Sequence, residues 1–235
     1  ATVHRHIGHE PNGRAFNATV LKKPEGIPHN PFINAGAIMA ASLVKMEETE
    51  DARFDYVTSV WSRLTGGGKI GFQNSTYMGE RATASRNFCL GYMMEEQGAF
   101  PAGTDLIKTL ESYFMYCSLE ITCEQMSVVA ATLANGGICP LTEDRVFQKQ
   151  TVTHCLSLML SCGMYDYSGE WGFLVGIPTK SGVSGVLCIV VPGVTGISTW
   201  SPRLDPLGNS VRGVDFCKAL CREFPFHPFS VLGST

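Results

Sequence analysis

Ser42 and Lys45 stand three residues apart in Ser42-Leu43-Val44-Lys45, the spacing at which a lysine amine can take the proton of a serine hydroxyl and make it nucleophilic. A helical run starts several residues earlier, near Ala35-Gly36-Ala37. Ser42 therefore falls in a helix interior, without the free amides or the positive dipole end of an N-terminus. The pair reads as a helix serine near a surface lysine. His4, His6 and His9 have metal-ligand chemistry, but no cysteine or carboxylate cluster has matching spacing, and they read as loop histidines. Gly66-Gly67-Gly68-Lys69 lacks the Gly-to-Gly-Lys-Ser/Thr frame of a phosphate loop and reads as a flexible turn.

Lys180-Ser181-Gly182, between two strand-like runs, is similar to the Lys-Thr/Ser-Gly signature of penicillin-binding proteins and serine β-lactamases. In that setting an edge-strand amide helps to form an oxyanion hole, which makes the Val183 N–H a candidate donor. Three residues are a weak signal alone; their surroundings strengthen it.

Those surroundings begin with a Pro-, Gly-, Asn- and His-rich stretch of about 35 residues, expected to be an ordered loop region. Helical signals dominate from Ala35 to Cys162. Helices are expected over Ala37 to Lys45, Asp55 to Thr65, Glu80 to Glu95, from Thr104-Asp105 onward, over Thr122 to Asn135 and over about Arg145 to Ser161. From Tyr165 the texture changes. Trp171 to Ile177, Gly185 to Val191 and Gly196 to Trp200 are β-branched or aromatic runs separated by Gly and Pro, expected to be adjacent antiparallel strands. A last helix is expected over Ser210 to Glu223. The order predicts an α+β domain over 1-226, with a helical part over about 35-162 and a sheet part over about 170-223; the tail 227-235 is unassigned.

Composition narrows the partners. At 235 residues and 44% hydrophobic the chain can bury a sizeable core. A net charge of −3 with 17% charged residues gives no field that would recruit nucleic acid or a membrane surface. The most apolar run, Val183 to Ile197, is interrupted by Pro192 and is too short to span a bilayer. Nine cysteines without a Cys-x-x-Cys read as buried thiols in a reducing compartment.

Four longer words are far more specific: PHNPFINAGAI (Pro28 to Ile38), GERATASRNF (Gly79 to Phe88), CGMYDYSGEW (Cys162 to Trp171) and PTKSGVSG (Pro178 to Gly185). ATLANGGICP and WSPRLDPLGNSVRG keep the same spacing. Together they resemble the animal serine-dependent glutaminases of the kidney and liver type, from Val3 to about Phe226. The resemblance implies a β-lactamase/transpeptidase-like fold, a helical block and an antiparallel sheet closed by a C-terminal helix. It implies hydrolysis of L-glutamine to glutamate and ammonia through a serine acyl-enzyme, with no metal or organic cofactor. By the same analogy it implies a homodimer or homotetramer, possible activation by phosphate, and a mitochondrial location, with the cytoplasm as the alternative.

Site residues follow residue by residue from the resemblance. Asn34 and Asn87 are expected to hydrogen-bond the bound amino acid, Glu80 to meet its α-ammonium, and Tyr113 to make a further contact. Tyr165 is expected beside the reacting amide, and Val183 to supply the oxyanion amide. One Glu among Asn and Tyr suits a zwitterion. Taken without the family, Asn34 and Asn87 read as helix caps, Glu80 as a helix-start residue and the tyrosines as packing. The family's Ser-x-x-Lys precedes the segment resembling HRHIG, and this sequence opens on Ala1-Thr2-Val3 without an initiator Met. It is therefore expected to be the larger C-terminal part of the catalytic domain, unable to hydrolyse glutamine alone. Two alternatives stand beside it: an inactive chain that acts by subunit association, and a related hydrolase of β-lactams or peptides. The loop Ala18 to Gly26 and Met93 depart from the vertebrate pattern, near the family's subunit interface and activation loop.

Overall fold

The computed structural model describes residues 2–230. The chain divides into two compact units. The first contains the residues up to Trp61 together with Lys69–Glu120, and the second contains Ser62–Gly68 and the residues from Ile121 onward. Helices and small antiparallel sheets make the fold α+β.

The first unit carries α1 (Asn34–Leu43), most of α2 (Glu50–Leu64), β1 (Gly71–Phe72), α3 (Asn74–Ala82), α4 (Ser85–Glu96), α5 (Leu106–Cys117) and β2 (Leu119–Glu120). Glu50 and Asp51 open α2 earlier than the apolar pattern indicates, because carboxylates in a first turn meet the positive end of the helix dipole. Asp105 caps α5 by accepting the Lys108 N–H at 3.1 Å. One helix was expected over Glu80 to Glu95, but two are present. The Thr83 hydroxyl donates back to the Gly79 carbonyl at 2.9 Å, the chain leaves helical geometry at Thr83, and Ala84 is buried in the turn. A core of Ile38, Met39, Leu90, Met94, Leu110 and Phe114 joins α1, α4 and α5. Each such side chain contributes about 1.5–3 kcal/mol by leaving water. The short ladder of β1 and β2 pairs Gly71 with Glu120 and Phe72 with Leu119.

The second unit carries α6 (Cys123–Ala134), α7 (Lys149–Cys162), α8 (Ser168–Leu174), β3 (Thr179–Ser181), β4 (Val186–Val191), β5 (Thr195–Trp200) and α9 (Val211–Glu223). Thr122 and Gln125 form a reciprocal capping box at the start of α6. Gly136 and Gly137, both at positive φ, end that helix. The next helix starts at Lys149 instead of the expected Arg145, because Arg145 bridges to Ile138 and the Val146 and Phe147 N–H groups bond the Gly137 carbonyl. The strands form one antiparallel sheet in the order β3-β4-β5. Central β4 is buried along nearly its whole length. Gly196 of β5 lies against α6 so closely that a Cβ there would strike the backbone of Ala130 and Ala131. On the sheet, Leu187 and Ile189 pack with Val214 and Cys217 of α9.

The expected strand Trp171 to Ile177 is mostly a helix. Ser168, Trp171 and Val175 are buried, whereas Phe173 is 83% exposed. Burial thus recurs every three or four residues instead of alternating, and the indole N–H is satisfied by the Ile177 carbonyl at 2.9 Å. The missing third strand is β3, only three residues long. In the tail, His227 and Pro228 lie against Gly176; residues 231–235 lie outside the described residues.

Candidate active site

In the first unit, Asn34 begins α1 and Asn87 lies on α4. Neither is a cap, since the cap positions are Ile33 and Ala84. The two asparagines hydrogen-bond each other instead, Asn34 Nδ2 donating to Asn87 Oδ1 at 3.0 Å. This side-chain pair joins positions 53 residues apart, and Asn87 is buried. Glu80 lies near the end of α3, half-buried and beyond the first turn where it was read as a helix-start residue. Its helix is tied to α5 through Glu111, which accepts from the Tyr77 hydroxyl at 2.8 Å and from Arg81 at 2.9 Å. Buried Tyr113 on α5 hydrogen-bonds the Cys117 thiol, and the Glu80 carboxylate acts on the same sulfur. Cys117 is exposed at the surface, but crowding around its sulfur, with the Glu80 charge adding and the Tyr113 bond opposing, pushes the thiol up to about 11. Glu80 and Tyr113 thus share one neighbourhood, and Asn34 and Asn87 share another within the same unit.

The second unit holds Tyr165 and Val183. Tyr165 has φ 55°, a left-handed backbone that costs a non-glycine residue about 1–3 kcal/mol. Its surroundings hold it there: Ser168 Oγ donates to the Tyr165 carbonyl at 2.7 Å and accepts the Met164 N–H at 3.0 Å. Asn209 also reaches the Met164 carbonyl, at 3.3 Å. The phenol donates to the Ser181 carbonyl at 3.0 Å, and burial pushes its pKa up to about 12. Ser181 N–H bonds the Gly163 carbonyl at 2.9 Å, joining the end of α7 to β3. Val183 follows in the turn closed by Gly182 N–H to Val186 O and Gly185 N–H to Gly182 O, each 2.9 Å. Among the described residues the Val183 N–H has no acceptor, and the residue is 56% exposed. A backbone donor left over in a tight turn is what an oxyanion requires.

Lys180 was not singled out from the sequence, although its motif was. Its ammonium stands 4.7 Å from the Tyr165 ring centroid and donates to the Ser181 carbonyl. Burial lowers its pKa to about 8, with Cys188 opposing. Ser42, by contrast, is buried in α1 with its hydroxyl donating to the Met39 carbonyl at 2.7 Å. Lys45 sits over the Tyr56 ring at 4.9 Å. Ser42 thus bonds its own helix as expected, but the helix expected to run to Lys45 ends at Leu43, and Lys45 lies beyond it at φ 44°. Among the described residues no group of three or more His, Cys, Asp or Glu is placed to hold a metal. None of their helices is long and apolar enough to cross a membrane.

A Lys-Ser-Gly edge strand, a phenol bonded to its carbonyl and an unused amide in the next turn mark a β-lactamase-like scaffold. The glutaminase family model matches residues 1–229. The liver isoform, mitochondrial, of mouse glutaminase is 48% identical over 98% of this chain and 38% of its own length. The Nostoc glutaminase is 38% identical over 96% of this chain and 66% of its own. Among solved structures, a Bacillus glutaminase in 4.3 M NaCl aligns with a TM-score of 0.91 at 32% identity, covering 97% of this chain and 78% of that one. Mglu in its glutamate form aligns at 0.89 and 37% identity, covering 97% and 51%. The chain belongs to the glutaminase family. It spans about two fifths of the length of the mouse relative.

Proposed function

We propose that this chain is part of an L-glutamine amidohydrolase that works through a glutamyl-serine intermediate. The observation that carries the reading is the Tyr165–Ser181–Val183 corner: a phenol held by a strained turn, beside an amide with no acceptor among the described residues. A serine oxygen would attack the side-chain amide carbon, and the Val183 N–H would stabilise the resulting oxyanion. The Tyr165 phenol would hand its proton to the departing nitrogen and take up the one the serine hydroxyl loses, so that ammonia leaves and a glutamyl ester remains. Water then cleaves the ester to glutamate and restores the serine. Glu80 would bind the α-ammonium, and Asn34, Asn87 and Tyr113 would hydrogen-bond the rest of the amino acid. Mglu, a relative, is described in a glutamate form, which suits this product.

By the family resemblance the nucleophile would come from residues outside this sequence, and the Ser42 hydroxyl, buried and bonded to its own helix, does not compete for the role. Residues 1-226 would form one catalytic domain. A mitochondrial location, association as a homodimer or homotetramer, and activation by phosphate are parts of the same proposal, the first supported by the description of the mouse relative. The experiment is ammonia release from glutamine by the chain, by the chain preceded by the family's serine-bearing segment, and by that extension with its serine changed to alanine. Activity in the second alone is expected. Turnover by the short chain that Ser42→Ala abolishes would overturn the assignment.

A further inference from the structure

Lys180 and Tyr165 approach the Ser181 carbonyl from different elements, β3 and the turn after α7, and both donate to it. A carbonyl oxygen has two lone pairs, so both donors can be held at once. The ammonium also faces the Tyr165 ring at 4.7 Å from its centroid, where the ring quadrupole attracts a cation. Tyr165 is therefore fixed by three constraints: its left-handed backbone, its hydroxyl bond and the cation on its face.

We propose that Lys180 is the positioning residue of Tyr165, holding the ring from its face and keeping the Ser181 carbonyl satisfied when the phenol turns away to handle a proton. This rests on the reading of Tyr165 as the proton-handling group of glutamine hydrolysis. The physical reason is an asymmetry in hydrogen bonding: a buried carbonyl that loses its partner costs far more than one that exchanges partners. With Lys180 in place, release of the phenol leaves no orphan. A positive charge over the ring also favours the phenolate, against the burial that disfavours it.

The groups packed around the amine set how long that charge persists. Tyr165 faces it from the turn after α7, Cys188 lies directly opposite in the β3–β4 register, and Cys155 of α7 acts on Cys188. Burial holds Cys188 up near 12 and raises Cys155 and Tyr165. Lys180, lowered to about 8, is then the first of these groups to change charge as pH rises.

The test is NMR of the chain labelled with 13Cζ-tyrosine, one of its seven tyrosines being assigned by Tyr165→Phe. The Tyr165 signal is expected to show a step with a midpoint near pH 8, reporting loss of the neighbouring proton. The step should vanish in Lys180→Met and leave the accessible range in Lys180→Arg, whose guanidinium stays charged. No step in the parent chain, or the same step in Lys180→Met, would overturn the proposal. The parent measurement decides even if Lys180→Met fails to fold. In the glutamine-hydrolysing extension, Lys180→Met should lower kcat about 10-fold or more with little change in KM, and Lys180→Arg should recover part of it. Equal loss in both variants would mark Lys180 as merely structural. Failure of the parent extension to release ammonia would sink the functional reading, while the NMR step would still decide whether Lys180 acts on Tyr165.

Discussion

Gly163→Ala should separate β3 from the turn that carries Tyr165. A Cβ on Gly163 would lie against the carbonyl oxygens of Thr179 and Met159, with the Thr179 carbonyl carbon only 3.0 Å away. All of these are backbone atoms, so no flexible side chain can move aside. Overpacking of this kind costs about 1–3 kcal/mol. Moving β3 away also breaks the 2.9 Å bond from Ser181 N–H to the Gly163 carbonyl, and leaving buried partners unpaired adds about 1–3 kcal/mol. The total is about 2–6 kcal/mol. With a urea slope of about 2 kcal/mol/M, the unfolding midpoint should fall by about 1–3 M. Gly169→Ala is the control, since nothing lies near its added Cβ and it sits within α8. It should change stability by less than about 1 kcal/mol, in the stabilising direction. Equal midpoints for the two variants would refute the idea that contact at Gly163 holds the strand.

Glu80→Gln in a glutamine-hydrolysing protein should raise KM about 10- to 100-fold, as loss of a charged partner worth about 1.5–3 kcal/mol implies; an unchanged KM would remove Glu80 from substrate binding. Tyr165→Phe should lower kcat about 100-fold or more, and activity within a few-fold of the parent would return the ring to packing. An ester in place of the Val183 amide should cost about 10²–10³ in kcat while Val183→Ala is mild; normal turnover by the ester would sink the oxyanion assignment. Stability under reducing conditions should rise between about pH 8 and pH 9 and fall beyond. Folded Lys180 gives up its proton at about 8, whereas an unfolded lysine holds it to about 10.5, so folding releases a proton there and gains with pH. Above about pH 9 the unfolded thiols of Cys188 and Cys217 ionise while their folded counterparts stay protonated to about 12, and stability is lost. Urea midpoints that decline steadily from pH 7 to 9 would contradict the Lys180 assignment.

Local signals in the sequence were read where a side chain bonds its own helix or turn. Thr122 with Gln125, Asp105 and the glycines at 136–137 act within a few residues of themselves, so α5 and α6 were legible. The run from Gly185 to Trp200 was legible for the same reason, being a hairpin. Trp171 to Ile177 was not. Its residues favour strands, but the buried side of Trp171 and Val175 and the indole bond to Ile177 are tertiary facts. The break at Thr83 depended on one hydroxyl that points back instead of outward. In the candidate site, Lys180 was hidden because nothing in its own segment announces a tyrosine fifteen residues upstream folding over its ammonium. The mutual bond of Asn34 and Asn87 was equally silent, since either residue alone looks like a cap.

The bond from Ser181 N–H to Gly163 bears on more than placement. β3 is the rim of its sheet, and a rim strand ordinarily offers bare amides and carbonyls to any extended peptide that drifts past. Here the outward N–H is taken by the end of α7 and the outward carbonyl by the phenol and the ammonium. The groups proposed to prepare the chemistry therefore also deny a foothold to an invading strand. If the proposed mechanism holds, catalysis and resistance to aggregation are coupled at one residue, so that variants loosening Tyr165 or Lys180 should become both slower and stickier.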